Sequence, residues 1–277
     1  MVKVVATDMD GTFLSSAKDY DRSRFERILR HMESEGIRFI VASGNQYAQL
    51  RSFFPGKDES IVYVSDNGTV IGENGVLRST TVFPSALIEA IVEFAVEQGL
   101  SYRTASVTKD NLTMILSGVK SAYMLEGTSP GFKKLGLKFY YEMEEISSFG
   151  QLPDDTLLKL MLEVDPQNVH EAIDLINERF GDRITAVWGG VGSIDIALPG
   201  VSKGSAIKEL LDSWGVDAKD LVSFGDANND LEMLAMAGRG YAMANTTSEK
   251  VRAAAKYEAP SNDESGVLVV LEKLLEL

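Results

Sequence analysis

Apolar residues in this chain fall into short unbroken runs that alternate with helix-spaced stripes. Val2 to Thr7 is apolar nearly throughout, the pattern of a parallel strand buried on both faces. Phe25, Ile28, Leu29 and Met32 follow at i, i+3, i+4 and i+7, predicting one helix face that Gly36 ends. Ile37 to Ala42 reads as a second buried strand, then comes Ser43-Gly44 and a short helix, and Ile61 to Val64 reads as a third strand. The pattern returns late in the chain. Ala206, Ile207, Leu210, Leu211 and Trp214 mark a helix face, and Leu221 to Phe224 a strand. Gly225-Asp226 and a helix through Leu231 and Leu234 follow, then a strand from Gly240 to Met243 and a closing helix from Val267 to Leu275. Strand and helix alternating with short connections predict an α/β fold built on a doubly wound parallel sheet.

Between these halves the texture changes. Pro84 opens a helix in its first turn, with Leu87, Ile88, Ile91 and Phe94 on its apolar side and Gly99 after it. Asn111 to Leu116, Thr156 to Val164 and Arg183 to Trp188 read as strands. A helix is expected from about Asn168 to Phe180, through Val169, Ile173 and Ile176. The expected organisation is a core of residues 1–82 and 188–277 carrying an inserted α+β domain at 83–187.

Composition narrows the chemistry. The 277 residues are 44% apolar, enough to bury a sizeable core. No apolar run approaches a membrane span, and Asp8 arrives too early for a signal-peptide apolar region, so a cytoplasmic protein is expected. There is no cysteine, which excludes disulfides, thiolate nucleophiles and thiolate metal sites. The two histidines, His31 and His170, sit in helix-like stretches among charged residues and read as structural or solvated. A net charge of −14 argues against nucleic-acid and anionic-membrane partners. A protein this negative that handles phosphate needs local positive charge, which a divalent cation and one well-placed lysine would supply.

In an open parallel sheet, ligands bind beyond the carboxyl ends of the strands. After the first predicted strand comes Asp8-Met9-Asp10-Gly11-Thr12, after the second Ser43-Gly44-Asn45, and after the late one Gly225-Asp226-Ala227-Asn228-Asn229-Asp230; Lys203 begins the helix that leads there. A carboxylate attacks phosphorus only when ionised, and a Mg²⁺ beside it keeps it so while offsetting the phosphate's repulsion. Asp8 and Asp226 are the expected carboxylate ligands, with the Asp10 backbone carbonyl a further oxygen donor. Asp10, two residues beyond the nucleophile Asp8, can reach the leaving oxygen as general acid and then general base. Gly11 frees the turn. Ser43 with its neighbouring N–H groups at a helix head is expected to cradle the oxyanion, and Lys203 to add a point charge. Asn229 and Asp230 are expected to hold Lys203 or metal-bound water in place. Each segment alone has a plainer reading: a turn, an acidic loop, an N-cap or a solvated lysine. Their occurrence in order, at the points where strands give way to helices, favours the shared chemical role.

Together these residues resemble the haloacid dehalogenase superfamily of phosphohydrolases. Asp8-Met9-Asp10-Gly11-Thr12 is similar to its nucleophile motif, Ser43 to its second motif, Lys203 to its third, and Gly225-Asp226 with Asn229-Asp230 to its fourth. The insertion resembles the α/β cap of the Cof-type, subclass IIB branch, and Asp66-Asn67-Gly68 that branch's acidic-Asn-Gly turn. Val41 to Tyr47 looks closest to sugar phosphatases, although Asn45 stands where many relatives carry arginine. The resemblance implies a Rossmann-like core, Mg²⁺, phosphate binding by Thr12, Ser43, Gly44, Lys203 and Asn229, and a supporting role for Asp230. It implies a small phosphorylated metabolite as substrate, chiefly a phosphosugar, with flavin mononucleotide or other nucleotides as alternatives. The cap is expected to close over the crevice, with Trp188-Gly189-Gly190 and Ser193-Ile194-Asp195, at the return to the core, as candidate substrate contacts. A phosphomutase would use the same aspartyl phosphate, and a non-catalytic metabolite sensor would need no turnover. A phosphorylated receiver domain would have no use for Asp10 or a cap.

Overall fold

The computed structural model describes residues 2–79, 81–101, 107–151, 154–190 and 192–277. The chain divides into two compact units, Met1–Thr80 with Val201–Leu277, and Thr81–Gly200.

The first unit opens with β1 (Val4–Thr7), α1 (Arg22–Ser34), β2 (Arg38–Ala42), α2 (Tyr47–Phe53) and β3 (Ile61–Ser65), then a hairpin of β4 (Val70–Glu73) and β5 (Val76–Ser79). The second unit holds α3 (Ser85–Glu97), β6 (Met114–Gly118), β7 (Ala122–Leu125), α4 (Pro130–Phe139) and β8 (Met143–Ile146). It continues with β9 (Leu157–Glu163), α5 (Val169–Phe180), β10 (Thr185–Gly190) and β11 (Ser193–Ala197). The chain re-enters the first unit with α6 (Lys203–Trp214), β12 (Leu221–Gly225), α7 (Leu231–Met236) and β13 (Arg239–Met243). It closes with α8 (Glu249–Ala254), β14 (Tyr257–Ala259) and α9 (Gly266–Leu275).

The first unit's sheet runs β14-β13-β12-β1-β2-β3-β4-β5, parallel from β14 to β3 and antiparallel over the last two strands. Successive side chains of a strand point to opposite faces, so a strand covered on both sides is apolar at every position. Val5, Phe39, Val41, Val222 and Phe224 pack on one face with Phe25, Ile28 and Leu29 of α1 and Leu268 and Leu271 of α9. Val4, Ala6, Ile40, Ala42 and Leu221 pack on the other with Ala206, Ile207 and Leu210 of α6 and Met233 of α7. This two-faced burial places the carboxyl ends of β1, β2 and β12 side by side, followed by Asp8, Ser43 and Asp226.

The second unit's sheet runs β10-β11-β9-β6-β7-β8, with only β7 and β8 parallel. α3 and α5 bury Leu87, Ile88, Ile91, Val169, Ala172 and Ile176 against it, and Phe132 of α4 packs with Ile115, Met124 and Met161 in a separate cluster. Pro84 stands as the N-cap of α3, its ψ of 132° extended, rather than inside the first turn. The expected return to the core at 188 comes too early. β11 lies between β10 and β9 in this second sheet, so Trp188 and Ser193-Ile194-Asp195 belong to it and the chain leaves only near Val201. The alternation of Ile194 and Ile196 with Ser193 and Asp195 is the strand signal that marks the segment. Among the described residues, no helix is long and apolar enough to cross a membrane.

Candidate active site

Asp8 follows β1 directly and is buried, as are Lys203 and Asp230. Lys203 Nζ donates to Asp8 Oδ1 at 2.6 Å and to Asp230 Oδ1 at 2.8 Å. The lysine is the first residue of α6, whose N-cap Ser202 forms a capping box with Ser205. A cation at a helix N-terminus opposes the helix dipole and is unfavourable by itself. Two carboxylates offset that, and Lys203 is held charged: burial alone would lower its pKa, but Asp8 and Asp230 outweigh burial and raise it. Burial pushes the Asp8 carboxyl up to about 7, helped by the neighbouring Asp230 and Asp226 charges and opposed by Lys203. A buried carboxylate placed this way gains from a further cation.

Asp226 supplies that opportunity. Its carboxyl is also raised, by burial first and then by the Asp230 charge, while the bond from Thr12 pulls the other way. Thr12 Oγ1 donates to Asp226 Oδ1 at 2.8 Å, so its hydroxyl orients this carboxylate. Gly11, with φ of +80°, passes so close that a Cβ there would lie 2.5 Å from Asp226 Oδ2. Thr246 Oγ1 donates to the Asp226 carbonyl at 2.6 Å, and Asn245 Nδ2 to the Gly11 carbonyl at 2.8 Å. Asp8, Asp226 and Asp230 each bring one carboxylate oxygen to within 4.8 Å of the others. A donor set made only of oxygen suits a hard divalent cation and fits Mg²⁺ chemistry. Asp230 is already engaged: Oδ1 takes Lys203, and Oδ2 accepts the Asp226 and Ala227 N–H groups at 3.0 Å each.

Asp10 lies beside this cluster and is less buried. Its Oδ2 accepts from Asn45 Nδ2 at 2.8 Å and its Oδ1 pairs with Lys18. Ser43 is buried at the end of β2, but it does not head a helix. α2 starts at Tyr47 with Gln46 as N-cap, because the Ser43 N–H extends the parallel ladder to the Val64 carbonyl at 2.9 Å. The Asn45 N–H donates to Ser43 Oγ at 3.2 Å, so two of the N–H groups expected to cradle an oxyanion are engaged. Ser43 and the adjoining Gly44 lie between the end of β2 and the start of α2.

Asn229 does not reach Lys203. Its amide donates to Asn67 Oδ1 at 2.9 Å. Asn67 lies in a turn where Asp66, Asn67 and Gly68 have φ of 47°, 58° and 102°. The turn is held against Ser43 by the Asn67 N–H, which donates to the Ser43 carbonyl at 2.9 Å. A Cβ on Gly68 would lie 2.3 Å from the Ser202 carbonyl oxygen, so only glycine lets the turn abut the start of α6. Nothing local in the sequence gives this turn a role or marks Asn45 and Lys18 as partners of Asp10. Asn45 meets Asp10 only because β1 and β2 are neighbours in the sheet, and Lys18 meets it within the irregular connection from β1 to α1, so no periodic spacing marks either pair.

Residues 5–271 match the haloacid dehalogenase-like hydrolase family. The chain is 38% identical over 275 residues to the 5-amino-6-(5-phospho-D-ribitylamino)uracil phosphatase YbjI of Escherichia coli (strain K12), covering 99% of this chain and 97% of that one. It is similar at a TM-score of 0.86 and 38% identity to the crystal structure of SMU.1108c from Streptococcus mutans UA159, over 100% of both chains. The subclass IIB sugar phosphatase BT4131 shares the fold at a TM-score of 0.76 and 20% identity, over 99% of each. The chain belongs to the haloacid dehalogenase-like hydrolases and is a phosphoric monoester hydrolase.

Proposed function

We propose that this phosphatase is Mg²⁺-dependent and transfers the phosphoryl group of a small sugar or polyol phosphate to Asp8 before releasing it to water. The observation that carries the reading is the buried Asp8 carboxylate, held at 2.6 Å by Lys203 with Asp226 close enough to share a cation. Asp8, Asp226 and the Asp10 backbone carbonyl would hold Mg²⁺, which neutralises phosphate charge and keeps Asp8 ionised when bound.

Lys203 fixes Asp8 Oδ1, which leaves Oδ2 as the natural attacking atom. As the bond from Oδ2 to phosphorus forms, the bond from phosphorus to the ester oxygen breaks, and Asp10 delivers a proton to that oxygen. Asp10, now a carboxylate, takes a proton from water as the water attacks phosphorus, and the acyl phosphate breaks to restore Asp8. Lys203 balances the charge that develops on the transferring group, while Asp230 keeps the lysine in place. Ser43 and Gly44 line the phosphate's path on the β2 side. Thr12 and Asn229 act there indirectly, through Asp226 and Asn67.

A ribityl or sugar phosphate is the substrate class we favour, in keeping with the phosphoribitylaminouracil named for the Escherichia coli relative. Phosphate release from sugar phosphates, ribityl phosphates, nucleotides and flavin mononucleotide, with Asp8→Asn as blank, tests both parts. Activity should vanish in EDTA and return with Mg²⁺, with highest kcat/KM on the ribityl and sugar esters. Full turnover in metal-free buffer would remove the metal role, and exclusive turnover of nucleotides would remove the substrate class.

A further inference from the structure

We propose that Asn45 is the positioning residue for Asp10, fixing the carboxyl group that protonates the leaving oxygen. The proposal rests on the reading of Asp10 as the leaving-group acid. Asp10 sits on the turn after β1 and is the more exposed of the two motif carboxylates, with a side-chain exposure of 41%. A carboxyl group on such a turn has several rotamers open to it, and a proton donor displaced by about an ångström loses much of its effect. Two groups touch it. Lys18 pairs with Oδ1, but the lysine side chain is 65% exposed, and exposed ion pairs contribute little and are screened by salt. Asn45 donates its amide to Oδ2 at 2.8 Å from a half-buried position.

The backbone of Asn45 is itself pinned. Its N–H donates to Ser43 Oγ at 3.2 Å, and its carbonyl accepts the Asp66 N–H at 3.0 Å. Neither bond uses the side chain, so the amide is presented from a rigid turn tied to the ends of both β2 and β3. An amide also suits the task chemically. It is neutral at every working pH and carries a planar N–H donor, so it can fix the orientation of Asp10 through geometry alone.

The test is a comparison of Asn45→Ala, Asn45→Asp and Asn45→Gln with wild type, each enzyme in saturating Mg²⁺, on two substrates, an alkyl sugar phosphate and p-nitrophenyl phosphate. The alkyl alkoxide needs a proton to leave and nitrophenolate barely does. Asn45→Ala should lower kcat on the sugar phosphate by roughly 10- to 100-fold, a share of the ~10²–10⁴ that a positioned acid–base group contributes. The loss on p-nitrophenyl phosphate should be several-fold at most, and KM should change little on either. Asn45→Gln, which keeps the donor, should recover part of the loss, and Asn45→Asp should not. In an Asp10→Asn background the further change to Ala should have almost no effect, because the group it positions is gone. Equal losses of Asn45→Ala on both substrates, or an undiminished effect in that background, would overturn the role of Asn45. If Asp10→Asn itself harms both substrates equally, it is the reading of Asp10 as the acid that fails.

Discussion

Replacing Asp230 with asparagine keeps the shape of the side chain and removes its charge, which makes the cost calculable from three contacts. The carboxylate is fully buried, receives Lys203 Nζ at 2.8 Å on Oδ1, and receives two backbone N–H groups at 3.0 Å on Oδ2. An amide offers one acceptor and one donor, so its NH₂ must face either the lysine or the backbone pair. Facing the backbone strands two N–H groups, each about 1–3 kcal/mol when buried without a partner. Facing Lys203 forfeits one charge-assisted bond, about 1.5–3 kcal/mol, and sets donor against donor. The second orientation is the less costly, so Asp230→Asn should destabilise the protein by ~2–4 kcal/mol, in keeping with losing one partner of a buried charged group. The loop at Asp226 and Ala227 then stays in place, while Lys203 keeps only Asp8. Urea unfolding of the metal-free proteins measures the first effect, and kcat in saturating Mg²⁺ the second. The expected result is a lower midpoint together with at least a tenfold drop in kcat, about 1.4 kcal/mol of lost transition-state stabilisation. A variant within ~0.5 kcal/mol of wild type and with unchanged kcat would refute the view of Asp230 as the anchor of Lys203.

Two further outcomes follow from the same geometry. The Asp8 carboxyl is raised from 3.8 to about 7 in the metal-free fold, so its protonated form adds stability that is full below pH ~4 and lost as pH rises through ~7. Asp8→Asn, which never ionises, should therefore melt above wild type at pH 8 without metal and close to it at pH 4; a gap independent of pH would contradict this. Gly68→Ala should cost at least ~2 kcal/mol, since the new Cβ meets a backbone carbonyl at 2.3 Å from a φ of 102°. It should also lower activity by shifting the start of α6. Thermal melts indistinguishable from wild type would show that the turn can move aside.

What the chain reveals before folding depends on how local the cause is. β1, β2, β3 and β12 are covered on both faces, and continuous apolar runs betray such strands without knowledge of their neighbours. The residues at their carboxyl ends were findable for the same reason, since topology alone brings those ends together. The β4–β5 hairpin carries a local signal in Asn74-Gly75, where φ of 52° and 73° make the tight turn, but the stronger parallel pattern before it masks that signal. β8 and β14 carry little burial, so short exposed segments become strands only because a neighbour offers them a ladder. The side-chain bonds inside the site lay furthest from view. Lys203 meets Asp8 across 195 positions and Asn45 meets Asp10 across 35, and neither separation has a period to detect. Ser43 reads as a helix head because a Ser-Gly pair after a strand resembles an N-cap, but Gln46 is the N-cap of α2. The backbone instead runs on one ladder bond further before turning.

Acid-quenching the Mg²⁺-loaded enzyme during turnover of a good substrate, then digesting it and weighing the peptides, looks straight at the proposed covalent step. The peptide that contains Asp8 should carry the mass of one phosphoryl group, more abundantly in Asp10→Asn, and borohydride should convert that side chain alone to the alcohol. Phosphate released at the full rate while the Asp8 peptide stays unmodified at every quench time would mean that water, and not this carboxylate, attacks the ester.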